Sequence, residues 1–286
     1  MTSFAEELTR AEIRPLVVAA LQEDHAHEDA TTMATVPAAQ PMRARIVARQ
    51  PGILCGVGVL ECVFGELDSS MTFRGRRDGE AVVADEVAWE VAGSAAAILA
   101  AERVALNFVQ HLCGIATLTS HYVKAVDGTG VAITDTRKTT PLLRRLEKYA
   151  VVCGGGVNHR MHLADMLLIK ENHIAAAGSV TAALQRAQKV AAGRPVEIEL
   201  RSLSEYREAT RCQPQRVLLD HWSVQDIETA VRERGTDPMP EIEVSGNLDL
   251  QSIRRFALPG VSFLSVGRLT HSAPVLDLSL LAETVS

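Results

Sequence analysis

Six short apolar runs in this chain each stop at polar residues or glycine, and the side chains at those stops could do chemistry together. VAIT is followed by Asp135-Thr136-Arg137-Lys138. MLLI ends in Lys170, with Glu171-Asn172-His173 behind it. VEI leads to Glu199, RVLL to Asp220-His221, EIEV to Ser245-Gly246-Asn247 and FLSV to Gly267-Arg268. Arg and Lys at such places grip carboxylates or phosphates. Paired acids hold Mg2+, sugar hydroxyls or a developing cation. Backbone N–H groups at Ser245, Gly246, Asn247 and Gly267 can cradle a phosphate. Each residue taken singly reads as a solvated loop charge. Six strand ends with one pattern read otherwise, because a charge at the end of an apolar strand is costly unless it is paired or ligated. Together they describe a site for a carboxylate compound and a phosphorylated sugar.

The stretch from Cys153 to Arg160, CGGGVNHR, adds a second cluster. It could cradle a phosphate on backbone N–H groups, or grip a carboxylate through His159 and Arg160. It could also be a plain turn, which a triple glycine alone favours.

The elements that must position these residues follow from periodicity. Strands are expected at 131–135, 166–170, 196–200, 216–220, 241–245 and 261–267, with helical text such as SVTAALQRAQKVAA and SVQDIETAVRER between them. Apolar strands alternating with helices argue for parallel β/α units. Six units fall short of the eight of a full barrel, so an incomplete or modified β/α barrel is expected, with a doubly wound open sheet as the alternative. In a barrel the C-terminal strand ends share one mouth. That mouth would gather Arg137, Lys138, Lys170, Glu199, Asp220, Ser245 and Gly267. Upstream, Ser3 and Glu6 have capping-box spacing ahead of a helix running to about residue 24. A half-exposed strand over 42–50, a helix over 57–67, strands over 71–76 and 87–93 and a long helix over 94–113 follow.

Composition bounds the reading. The chain has 286 residues, enough for one large domain or two ordinary ones. It is 47% hydrophobic and 22% charged, which suits a packed core rather than disorder. Only 4% is aromatic and the net charge is −6, so neither a stacking surface nor a basic footprint for nucleic acid or anionic lipid is expected. Five cysteines, Cys55, Cys62, Cys113, Cys153 and Cys212, form no C-x-x-C pair and argue against a disulfide framework or zinc knuckle. No apolar stretch suggests a signal peptide or membrane span, and a cytoplasmic protein is expected.

The run DTRKTTP…LEKYAV…GGGVNHR…LIKENHI resembles the quinolinate phosphoribosyltransferase family. The likeness extends from about Glu23 through AERVALNF to SVGRLTHSAPVLDLSL, nearly the whole chain. It implies an incomplete, type II phosphoribosyltransferase-like α/β barrel over 114–269. An N-terminal α/β sandwich domain over 1–113 would be completed by 270–286. It implies transfer of phosphoribosyl from phosphoribosyl pyrophosphate to quinolinate with decarboxylation, giving nicotinate mononucleotide. Mg2+ would be the cofactor, with no organic one. The resemblance assigns Arg103, Arg137, Lys138, His159 and Arg160 to quinolinate. It assigns Lys170, Glu199, Asp220, Ser245, Gly246, Asn247, Gly267 and His271 to phosphoribosyl pyrophosphate. Lys138, Lys170, Glu199 and Asp220 would be catalytic, and Glu199 and Asp220 would hold the metal directly or through water. The assembly implied is a homodimer, or a higher oligomer built from it, with Arg103 reaching the partner's site. Glu28, Arg201, His221 and Arg268 depart from the family pattern. Cys153 reads as a buried small residue and Asn158 as a turn cap. His25, His27 and His162 read as surface residues, and Arg144 and Arg145 as a solvated helix face.

Overall fold

The computed structural model describes residues 8–37 and 39–284. They form two compact units: Met1–Ser120 with Thr139–Gly155 and Leu269–Ser286, and His121–Lys138 with Gly156–Arg268. The segment Thr139–Gly155, which sequence analysis assigned to the barrel, thus groups with the N-terminal unit.

The N-terminal unit is built on a four-stranded antiparallel sheet. Its strands are β1 (Pro41–Ala48), β3 (Thr72–Gly75), β5 (Val87–Ser94) and β12 (Leu278–Thr284), in the order β12-β1-β5-β3. A two-residue ladder, β2 (Gly52–Ile53) with β4 (Ala81–Val82), lies beside it in sequence. The C-terminal strand therefore supplies an edge of the N-terminal sheet. Its first described helix, Arg10–Glu23, starts at Thr9, whose side chain and Glu12 cap each other reciprocally. The spacing Ser3–Glu6 lies outside the described residues. The polar stretch after Asp24 holds a short helix, Ala30–Thr35, capped by Asp29 onto the N–H groups of Thr31 and Thr32. The expected helix over 94–113 continues as Ala95–Ala125. Gly114 does not end it. A Cβ there would lie 2.1 Å from the Pro274 carbonyl oxygen, so the glycine permits close approach of the C-terminal segment.

The second unit is a six-stranded all-parallel sheet. Its strands are β6 (Ala132–Thr134), β7 (Leu167–Ile169), β8 (Val196–Leu200), β9 (Arg216–Asp220), β10 (Glu241–Ser245) and β11 (Phe263–Ser265). The order β6-β11-β10-β9-β8-β7 leaves β6 and β7 at the two edges, as an incomplete barrel requires. Side chains alternate between faces along each strand. One row, with Val196, Ile198, Leu200, Val217, Leu219, Ile242, Val244 and Leu264, is fully buried. Helices Val180–Val190 and Leu203–Thr210 pack against β8 there. Each such side chain contributes about 1.5–3 kcal/mol relative to exposure. The opposite row carries the polar residues. Among the described residues no helix is long and apolar enough to cross a membrane.

Candidate active site

Strand alternation puts Glu197 and Glu199 on one face of β8, Arg216 and Asp220 on that of β9, and Glu243 and Ser245 on that of β10. The two layers this creates do different things.

The upper layer lies at the strand ends. Lys170 caps β7 and ion-pairs with Glu199 of β8. Asp220 is register-paired with Ser245. Its carboxylate accepts the Ser245 hydroxyl at 2.5 Å and sits 2.9 Å from His221 Nδ1. Burial pushes the Asp220 carboxyl up, but the bonds from Ser245 and His221 and the charge of Lys170 outweigh it and leave the group below its ordinary value. Asp220 therefore stays ionised. His221, a departure from the family pattern, is here its hydrogen-bond partner. Arg201, another departure, pairs with Glu171 and is exposed.

The chain around Asp220 and Ser245 is tightly fitted. His221 (φ 61°) and Asn247 (φ 47°) both lie in the left-handed region. Gly246 has φ 107°, and a Cβ there would lie 2.8 Å from the His221 backbone nitrogen. Gly246→Ala should cost about 1–2 kcal/mol in backbone strain and displace the partner of Asp220. Thermal unfolding should fall by roughly 2–6 °C; an unchanged midpoint would show that this turn is not fixed.

The lower layer is buried. Asp135, Glu197 and Glu243 are fully inaccessible, and His159 is 8% exposed. Asp135 accepts the His159 N–H at 2.9 Å and the Asn158 side-chain amide at 2.6 Å. Asn158 is thus a half-buried tie to Asp135 rather than only a turn cap. Arg216 donates to Glu243 at 3.0 Å and to Glu241 at 2.9 Å, and its guanidinium lies 4.0 Å from the Phe263 ring centre. Ser265 hydrogen-bonds Glu243. His159 Nε2 is 3.0 Å from Glu197 and 3.4 Å from Glu243. Its Nδ1 accepts the Arg160 N–H at 2.8 Å.

Both ring nitrogens of His159 have protein partners, and through Nδ1 the ring braces the Arg160 main chain. Its charge state follows from the same contacts. Burial opposes the imidazolium, while Glu243 and Glu197 favour it and lift its pKa overall. An Nδ1 that accepts an N–H carries no proton, however. The hydrogen bonds therefore describe a neutral ring donating from Nε2 to Glu197. Burial, and then Glu197, push the Glu243 carboxyl up to about 6. This interior layer escaped the sequence reading. Its signal was there, since Glu197 stands two before Glu199, Glu243 two before Ser245, and Arg216 four before Asp220.

The remaining candidates are placed as follows. Arg160 is half-buried and donates to the Met166 carbonyl at 3.5 Å. Burial, and then the neighbouring charge of Arg137, lower its pKa. Two guanidinium groups thus repel each other beside the strand ends, a disposition that an anion would relieve. Lys138 and Asn247 are exposed, and Gly267 is half-buried after β11. Arg103 and His271 belong to the N-terminal unit and are exposed there.

The glycines of the opening loop have structural duties. Gly154 ends helix Arg144–Cys153, and a Cβ on it would lie 2.3 Å from the Ala116 carbonyl oxygen. Gly155 has φ 88°, and Val157 then bridges to Thr134 beside β6. Cys153 is half-buried rather than buried. Arg145 pairs with Glu12, and Arg144 donates to Thr139, so neither is merely solvated. His25, His27 and His162 are exposed or nearly so.

Known proteins share this architecture. Residues 29–113 match the N-terminal domain of quinolinate phosphoribosyl transferase, and residues 115–281 match its C-terminal domain. The chain is 42% identical over 273 residues to nicotinate-nucleotide pyrophosphorylase [carboxylating] of Mycobacterium leprae, covering 93% of this chain and 96% of that protein. It is 37% identical to quinolinate phosphoribosyltransferase [decarboxylating] 1b of Nicotiana tabacum, covering 96% of this chain and 83% of that one. The crystal structure of NadC from Streptococcus pyogenes superposes with a TM-score of 0.93 at 39% identity, covering 98% of this chain and all of that one. With both domains matched in order along the chain, and relatives of this identity over nearly its full length, this protein belongs to the quinolinate phosphoribosyltransferase family.

Proposed function

We propose that the protein joins quinolinate to phosphoribosyl pyrophosphate, releasing pyrophosphate and carbon dioxide and yielding nicotinate mononucleotide for de novo NAD synthesis. The observation that carries this reading is the pairing, at one set of strand ends, of two chemistries. Two neighbouring guanidinium groups, Arg137 and Arg160, suit a dicarboxylate. The Lys170–Glu199 pair and ionised Asp220 suit a phosphorylated sugar.

In this reading Lys170 and the backbone of Ser245, Gly246, Asn247 and Gly267 hold the pyrophosphate. Glu199 and Asp220 stabilise the ribose as its C1–O bond breaks and positive charge develops. Arg137 and Arg160, with Lys138, hold the carboxylates so that the pyridine nitrogen meets C1. When the C2 carboxylate departs as carbon dioxide, the electron pair stays on C2 as a carbanion stabilised by the adjacent positive pyridinium nitrogen, and a proton then completes the ring. No organic cofactor is required, because the substrate generates its own electron sink. The donor set also fits a hard cation, since Glu199 and Asp220 offer only carboxylate oxygens. They would hold Mg2+ directly or through water, and the ion would supply neutralising charge to the leaving pyrophosphate.

The reading includes a homodimer in the cytoplasm, with Arg103 reaching the partner's quinolinate site; sedimentation at the mass of a single chain would remove the dimer. Arg160→Ala should raise the quinolinate KM by tenfold to a few hundredfold, as expected for about 1.5–3 kcal/mol of charge-assisted hydrogen bonding. The KM for phosphoribosyl pyrophosphate should move little. Steady-state kinetics with each substrate varied in turn would check this, and an unchanged quinolinate KM would take Arg160 out of the pocket.

A further inference from the structure

Three sulfur and oxygen donors converge in the N-terminal unit, at residues with no part in the proposed reaction. Cys55 follows β2, Asp78 lies in the turn before β4, and Cys153 ends helix Arg144–Cys153. The Cys55 and Cys153 sulfurs and an Asp78 carboxylate oxygen all lie within 4.8 Å of one another. A tetrahedral zinc ion with about 2.3 Å Zn–S bonds needs its sulfurs roughly 3.8 Å apart, so the cluster needs only a small contraction.

The donors are also held. Asp78 accepts the N–H groups of Gly56 and Val57 at 2.8 and 3.0 Å and the Tyr149 hydroxyl at 3.0 Å. Cys55 is fully buried, and its N–H donates to the Cys113 sulfur at 3.1 Å while the Cys113 thiol donates back to the Cys55 carbonyl. Second partners of this kind fix metal ligands before the ion arrives. A cavity of about 780 Å3, lined by Gly56, Val57, Arg77, Asp78 and Tyr149 among others, reaches the Asp78 side of the cluster.

We propose that Cys55, Cys153 and Asp78 form a binding site for a tetrahedral, thiophilic divalent cation of the zinc class, with water as fourth ligand. Two thiolates exclude Mg2+, which prefers an all-oxygen octahedron. Binding releases the two thiol protons to solvent and leaves the metal's oxidation state unchanged. The bound ion would tie together three segments distant in sequence.

The test uses the full-length protein, reduced, stripped of metal and free of Mg2+, titrated with Co2+. Thiolate ligation gives a near-ultraviolet sulfur-to-cobalt charge-transfer band, which carboxylates at the phosphoribosyl site cannot produce. The expected result is one band-forming Co2+ per chain, displaced by Zn2+. The band should be lost in Cys55→Ser and Cys153→Ser and kept in Cys212→Ser. Cys153 is half-buried, so its variant gives a reading if Cys55→Ser does not fold, with circular dichroism confirming the fold. No band in the parent protein, or a full band in folded Cys153→Ser, would overturn the proposal.

Discussion

Lys170→Ala should lower kcat/KM for phosphoribosyl pyrophosphate by about 100- to 1,000-fold, the scale of removing one preorganised charge from a reacting oxyanion. The physical reason lies in its pairing with Glu199. In the proposed reaction the ammonium at the end of β7 would both attract the pyrophosphate and neutralise an acid that would otherwise repel it. Alanine removes the attraction and exposes the repulsion, so the loss exceeds that of an ordinary exposed ion pair, which is about 1 kcal/mol or less. Folding should be nearly unaffected, because Lys170 is exposed. Steady-state kinetics alongside a thermal melt separates the two. A loss below threefold would move the phosphate site away from β7.

Asp135→Ala acts through stability first. Its carboxylate is fully buried and holds both the His159 main chain and the Asn158 side chain. Alanine strands one buried and one half-buried donor that had charge-assisted bonds, at about 1.5–3 kcal/mol each at most. The expected destabilisation is at most about 3–6 kcal/mol by urea unfolding, with weakened quinolinate binding in whatever remains folded, because His159 braces Arg160. Asp135→Asn keeps one acceptor and should recover part of both losses. A destabilisation under 1 kcal/mol for the alanine variant would mean that the loop from Asn158 to Arg160 is held from elsewhere.

Strand alternation and apolar runs made the barrel unit legible. Strands β8, β9 and β10 fall at 196–200, 216–220 and 241–245, where periodicity put them, and the other three are shorter by a residue or two at each end. The positions of Lys170, Glu199, Asp220 and Ser245 at strand ends follow from the same pattern. What periodicity missed had a tertiary cause. Helix Ala30–Thr35 carries no apolar stripe and depends on the Asp29 cap. Gly114 reads as a breaker, and only its closeness to Pro274 explains why it sits inside a helix. Glu197 and Glu243 beneath His159 were out of reach too, because sequence shows the neighbour along the chain and not the one on another strand. Cys55, Asp78 and Cys153 meet only through the fold, since no local spacing links them.

The most direct test of the account follows one carbon atom. Purified protein would be incubated with Mg2+, phosphoribosyl pyrophosphate and quinolinate labelled with 13C in the C2 carboxyl group. Nicotinate mononucleotide and labelled carbon dioxide would be measured in the same sample. The account predicts one labelled carbon dioxide for each mononucleotide formed, and neither product when phosphoribosyl pyrophosphate is left out. Mononucleotide formed without release of the label, or no product from folded protein that binds both substrates, would contradict it.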